Sequence, residues 1–169
     1  MKPTPLLVAL GLCIILAGFV YYTVENPPVG EDDSEPILRI EEEKILSISI
    51  VRPGHDVVTV QRHDDQEWVF GSPQTAIRVD KSTVDSMVSD LAELNADRVV
   101  EENINAWGPF GLQGAGAMQV VVTSDEDVKN TVVFGDSTPT GSGVFARLEG
   151  DPRLFTVFSY VKSGFEKEI

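Results

Sequence analysis

Ile45-Leu46-Ser47-Ile48-Ser49-Ile50 alternates apolar and hydroxyl side chains, and forty residues later the alternation has become a helical stripe. Period two places successive side chains on opposite faces of a strand, so Leu46, Ile48 and Ile50 are expected on one face and Ser47 and Ser49 on the other. Val84, Met87, Val88, Leu91 and Leu94 fall at i, i+3, i+4, i+7 and i+10, which is one face of a helix over about residues 81–96. Asp80 and the capping-box-like Ser82-Thr83-Val84-Asp85 compete to start that helix. A sheet with one amphipathic helix laid on it is the simplest body that buries both patterns.

Working outward, Val57 to Arg62 is a second strand, His63-Asp64-Asp65-Gln66 a polar turn and Glu67 to Phe70 a third strand, stopped by Gly71-Ser72-Pro73. Beyond the helix, Arg98 to Glu101 is extended, and Ala106-Trp107-Gly108-Pro109-Phe110-Gly111-Leu112 is a turn-rich link. Met118 to Thr123 and Asn130 to Phe134 form a hairpin about Ser124 to Asp127. Gly135 to Gly143 is a polar loop, and Val144 to Leu148 with Leu154 to Phe158 close the domain as a hairpin turned by Glu149-Gly150-Asp151-Pro152. A terminal helical turn is expected over Tyr160 to Glu168.

Toward the N-terminus, Leu6 to Val24 carries no charge. At about 1.5 Å per residue that segment spans roughly 28 Å, close to a hydrocarbon core of about 30 Å. Lys2 precedes it, and Glu25, Glu31, Asp32, Asp33 and Glu35 follow before the first basic residue, Arg39. The positive-inside rule then puts the N-terminus in the cytoplasm and the rest outside, with Tyr21 and Tyr22 at the interface. A cleaved signal peptide and a lipoprotein are the rival readings. Leu16-Ala17-Gly18 is a poor small-x-small site, and Leu12 before Cys13 is not the small residue that a lipoprotein signal wants. The expected domains are an anchor over 1–24, an acidic, proline-containing linker over 25–40, and one extracytoplasmic domain over 41–169. The fold class is α+β: a transmembrane helix, then a mainly antiparallel sheet packed by one amphipathic helix.

The 169 residues carry 27 acidic and 13 basic side chains, a formal net charge of −14. That charge would repel a phosphate backbone and argues against nucleic acid binding. Cys13, the one cysteine, excludes an intramolecular disulfide.

No motif for catalysis, a metal or a cofactor stands above its ordinary structural explanation. His55 and His63 with Asp56, Asp64 and Asp65 contain metal-ligand types, but all lie in polar turns. Asp125-Glu126-Asp127 lacks the spacing of a calcium loop. Gly135 to Gly143 has neither the lysine of a phosphate loop nor a following helix, and no serine has nucleophile-elbow context. Trp68 alternates into a strand and is expected in the core; Trp107 in its loop is the better candidate of the two for a partner contact, with packing under the loop the expected role even there.

The order of several short motifs resembles a known family. Trp68-x-Phe70 precedes Pro73. The helix and Ala96-Asp97-Arg98-Val99 come next, then Phe110-Gly111-Leu112 and Phe134-Gly135. Thr138-Pro139-x-Gly141 and Val144-Phe145-Ala146-Arg147 complete the series. Together these resemble the domain-of-unknown-function 4340 family over about residues 40–165. The resemblance implies an N-terminal membrane helix, no attached enzymatic activity and, for some members, genes near transporters resembling the gliding-motility ABC type. Many members are longer, with a second similar unit. The expected function is a non-enzymatic, membrane-tethered interaction module. It would be an accessory of an envelope or ABC-transporter-type complex in the inner membrane, with the bilayer and another membrane or envelope protein as partners. The alternative is a small-ligand-binding or hydrolytic domain using residues 135–143.

Overall fold

In the computed structural model the described residues are 35–63, 67–71 and 78–167. They form ten strands and two α-helices. The strands are β1 (Pro36–Arg39), β2 (Ile45–Val51), β3 (Val58–Arg62), β4 (Trp68–Phe70), β5 (Glu93–Asn95), β6 (Arg98–Glu101), β7 (Met118–Ser124), β8 (Lys129–Ser137), β9 (Gly143–Leu148) and β10 (Leu154–Phe158). The helices are α1 (Lys81–Ala92) and α2 (Ser159–Glu166). Eight strands make one antiparallel sheet in the order β4-β3-β2-β7-β8-β9-β10-β6, and β1 pairs with β5 in a separate ribbon. The body is therefore α+β, as the two periodicities imply. No helix among the described residues is long and apolar enough to cross a membrane. The expected anchor over 1–24 and most of the expected linker lie outside them.

Both helices and the ribbon cover one face of the sheet. Val84, Met87, Val88 and Leu91 of α1 pack with Ile48, Ile50, Val60, Val120, Val132, Phe134 and Phe155 in a single core. The helical stripe is thus core, as its spacing predicts. Asp80 wins the competition for the N-cap: its carboxylate accepts from Ser82 N at 3.0 Å and from Thr83 Oγ1 at 2.9 Å.

Four differences from the sequence reading have physical causes. The helix ends at Ala92, and Leu94, read as its last stripe residue, belongs to β5 yet is still buried. It is held there by pairing with Leu38 of β1, a strand inside the stretch read as linker. Leu46 faces outward at 42% exposure while Ile45 is buried, because a register shift between Ile45 and Ser47 turns the strand by one residue. The polar loop after Phe134 is shorter than 135–143, since β8 runs on to Ser137. Finally, the sheet carries two helices rather than one. The terminal turn is the two-turn helix α2, which buries Val161 and Phe165, and the Phe165 ring lies 5.8 Å from that of Phe134.

The second face of the sheet is covered only in part. Alternation sends Val133, Phe145 and Leu154 to the side opposite Phe134, Ala146 and Phe155. There the link between β6 and β7 lies across them with Ile104, Trp107, Phe110, Leu112 and Ala117. Toward β2 and β3 the same face is polar, and Ser49 Oγ and Thr59 Oγ1 lie 2.9 Å apart.

Candidate functional site

The residues singled out as candidate ligands do not converge. His55 lies in the turn before β3 and His63 just after it, at opposite ends of that strand, and Asp64 and Asp65 lie outside the described residues. No three histidine, cysteine, aspartate or glutamate side chains cluster suitably for a metal among the described residues. Asp125 to Asp127 form a short 3-10 turn joining β7 to β8, with Asp127 at φ 57°.

The loop after β8 satisfies itself. Thr138 Oγ1 donates to the Gly143 carbonyl at 3.1 Å and accepts from the Gly143 amide at 3.2 Å. The hydroxyls of Thr138, Thr140 and Ser142 chain together at 3.1 and 3.0 Å. This threonine and serine lattice holds a tight strand connection and gives no reactive hydroxyl a base.

Trp68 is buried against the core, with the Arg62 guanidinium 5.1 Å from its ring centre. Trp107 is half-buried under its own loop, and Arg147 sits 5.0 Å from its ring centre. The expected packing of Trp107 under its loop is thus observed. Among the described residues, Phe158 and Tyr160 form an exposed aromatic pair, with rings stacked at 5.8 Å.

Arg153 makes a dense polar cluster. It donates from Nε and Nη2 to Asp151 at 3.0 and 2.6 Å, pairs through Nη1 with Glu35, and lies 5.0 Å from the Phe155 ring centre. These side-chain hydrogen bonds hold the Asp151 carboxyl below its ordinary value of 3.8, against the opposing effect of its burial. A carboxyl with a lowered folded-state pKa adds stability above its unfolded value and loses it as pH falls through the folded value. Asp90, on α1 beside Gly164 of α2, has the opposite sign: burial raises its pKa, so ionising it as pH rises weakens the fold. Asp151→Asn should accordingly flatten the loss of Tm between about pH 4 and pH 2, and Asp90→Asn should not. Thermal melts across that range check this, and an acid limb as steep as that of the parent would refute it.

Concave features among the described residues include three grooves. One, of about 370 Å³, runs beside edge strand β6 and is lined by Val100, Ile104, Pro109, Phe110 and Leu154. A second, of about 430 Å³, lies between Arg39, Lys44, Asp125 and Val128. The third, of about 530 Å³, lies between the β2–β3 turn, the start of β7 and α2. Arg52, His55 and Lys162 line it together with Glu166 and Met118. Nothing in the spacing of Arg52 and Lys162, more than a hundred residues apart, signals that they share a wall.

A mainly antiparallel sheet with two helices on one face, a crossing loop on the other and no convergent acid–base or metal constellation among the described residues defines a small α+β scaffold. Its chain belongs to the family described as a domain of unknown function (DUF4340), which matches residues 68–169. No curated protein and no solved structure matches it.

Three of the motifs that carry the resemblance meet in space, and they meet as packing. A β-carbon on Gly135 would overlap the Phe110 carbonyl oxygen and lie 3.0 Å from Gly111 C, so the Phe110-Gly111-Leu112 backbone crosses β8 where a side chain is missing. Gly111 turns there at φ 68°. Phe145 meets Phe110 edge-on at 4.9 Å, and Arg147 covers Trp107. These signature residues fasten the crossing loop to the sheet, which explains why they suggest no chemistry.

Proposed function

We propose that this protein is a membrane-tethered, extracytoplasmic interaction module, an accessory of an envelope or ABC-transporter-type complex. The observation that carries the reading is β6. It ends the eight-stranded sheet, its residues are mostly exposed, and an apolar groove runs alongside it. An edge strand with unpaired backbone groups is a template for an added strand, and a neighbouring groove gives alternate side chains of that strand a place to go. Asp97, Glu101 and Glu102 are exposed along it, with Arg98 among them. The occupant that fits is an extended segment of a partner protein, with apolar side chains for the groove flanked by lysine or arginine. The charge-free Leu6–Val24 segment, with acid following it, supports the tether and the outward orientation.

The test places a cysteine at Val100 in a Cys13→Ser background. A membrane-impermeant, thiol-directed photocrosslinker is then added to spheroplasts of the native host. A discrete adduct from Val100→Cys, absent from Ser86→Cys on the exposed side of α1 and lost when Glu101 and Glu102 become lysine, is expected. Labelling only after lysis would overturn the orientation. Labelling without an adduct above the Ser86→Cys control would overturn the docking edge.

The second reading, small-ligand binding, is favoured by the groove at Arg52 and Lys162 rather than by residues 135–143.

A further inference from the structure

We infer that the groove between the β2–β3 turn and α2 binds a small organic oxyanion, a carboxylate or phosphate ester, through Arg52 and Lys162. This rests on the second reading and is independent of what docks at β6.

The first support is charge. The chain has about twice as many acids as bases, yet this groove is lined by two cations and an imidazole against one carboxylate, Glu166. Arg39, Lys44, Lys81 and Arg153 each lie within salt-bridge distance of a carboxylate, whereas, among the described residues, Arg98, Lys129 and Arg147 do not. Nor, among those residues, do Arg52 and Lys162. A local excess of positive charge inside a strongly negative molecule holds a field that an anion of the right size relieves.

The second support is positioning. Arg52 donates from Nη1 to the Glu166 carbonyl at 3.0 Å, and Lys162 donates from Nζ to the Gly135 carbonyl at 2.9 Å. Each cation is thus fixed by a neutral carbonyl, which orients it without cancelling its charge. The Arg52 Nε is buried and has no partner among the described residues. Donors held in place before binding lose little freedom when a ligand arrives. A planar guanidinium offers a two-pronged fork to a carboxylate or phosphate, and the ammonium adds a point charge.

The third support is shape. A volume of about 530 Å³ lies within the usual range of small-molecule sites. Gly116 and Met118 contribute to the lining, and Met118 supplies an adaptable apolar surface for a carbon skeleton. The overall charge of −14 disfavours an extended polyanion, so a small ligand carrying one or two anionic groups suits both the local and the global field.

The test uses the full chain in non-ionic detergent at low salt, titrated separately with inorganic phosphate and with succinate and followed by amide chemical shifts. Saturable shifts confined to residues 52–55, 116–118 and 162–166 are expected. Arg52→Gln with Lys162→Gln should weaken binding at least tenfold, and Glu166→Gln should tighten it. Lys129→Gln, a cation elsewhere on the sheet, should change neither. The two probes tell whether the site takes a phosphoryl group or a carboxylate. Failure of both to saturate, or equal binding by the parent and the double variant, overturns the proposal. Should the double variant not fold, Glu166→Gln decides alone: tighter binding supports the site and unchanged binding refutes it.

Discussion

Phe165→Ala should lower the free energy of unfolding by about 3–5 kcal/mol, the usual loss when a fully buried phenylalanine is truncated. Phe165 has no exposed surface, sits in the main core and stacks on Phe134 of the central strand β8. It comes from the last helix of the described chain, which holds on through Val161 and Phe165 alone among its buried residues. The cost therefore combines a cavity under the sheet with loss of the main anchor of α2. Tyr160→Ala, on the same helix but largely exposed, should change stability by less than about 0.5 kcal/mol. Chemical denaturation of both variants measures the contrast. A Phe165→Ala loss below about 1 kcal/mol would mean that α2 is not part of the cooperative core.

Gly135→Ala is expected to be comparably severe, at about 3 kcal/mol or more, although it adds a single methyl group. The added carbon meets backbone, the Phe110 carbonyl and Gly111, rather than the yielding end of a side chain. Relief requires the whole crossing loop to lift, which uncovers Leu112, Val133 and Leu154. Near-ultraviolet circular dichroism should report it through Trp107, whose packing belongs to the same layer. Gly116→Ala, with nothing within 4 Å of the new carbon, serves as the control. Equal stability of the two variants would show that the loop does not rest on β8.

Much of the main core was legible because it is periodic. The β2 alternation and the α1 stripe each encode a buried face locally, and the hairpins β7–β8 and β9–β10 announce themselves through acidic or glycine-containing turns. What escaped is non-local. β1 is four residues long and makes sense only opposite β5. That ribbon in turn converts Leu94 from a helical to an extended residue without exposing it. The bulge that exchanges Leu46 for Ile45 is a property of the β2–β7 pairing and leaves no mark on the alternation itself. β6 pairs with β10 across more than fifty residues, so its position at the sheet edge is set by tertiary structure. The basic groove was invisible for the same reason, whereas Gly135 and Phe110 were visible as motifs but not as neighbours.

The ribbon and the Arg153 cluster have a mechanical consequence. The chain enters the folded body at Glu35 and Pro36, so any tension applied through the preceding residues reaches the fold first through the Glu35–Arg153 pair and the short β1–β5 ladder. Neither belongs to the eight-stranded sheet. A pull on that end would strip a four-residue strand, with the buried Ile37 and Leu38, and one ion pair before it loaded β2. The first yielding step would lengthen the connection to the folded body by a few residues, at about 3.3 Å or slightly more each. The arrangement would act as a short extensible leash that yields before the eight-stranded sheet is loaded.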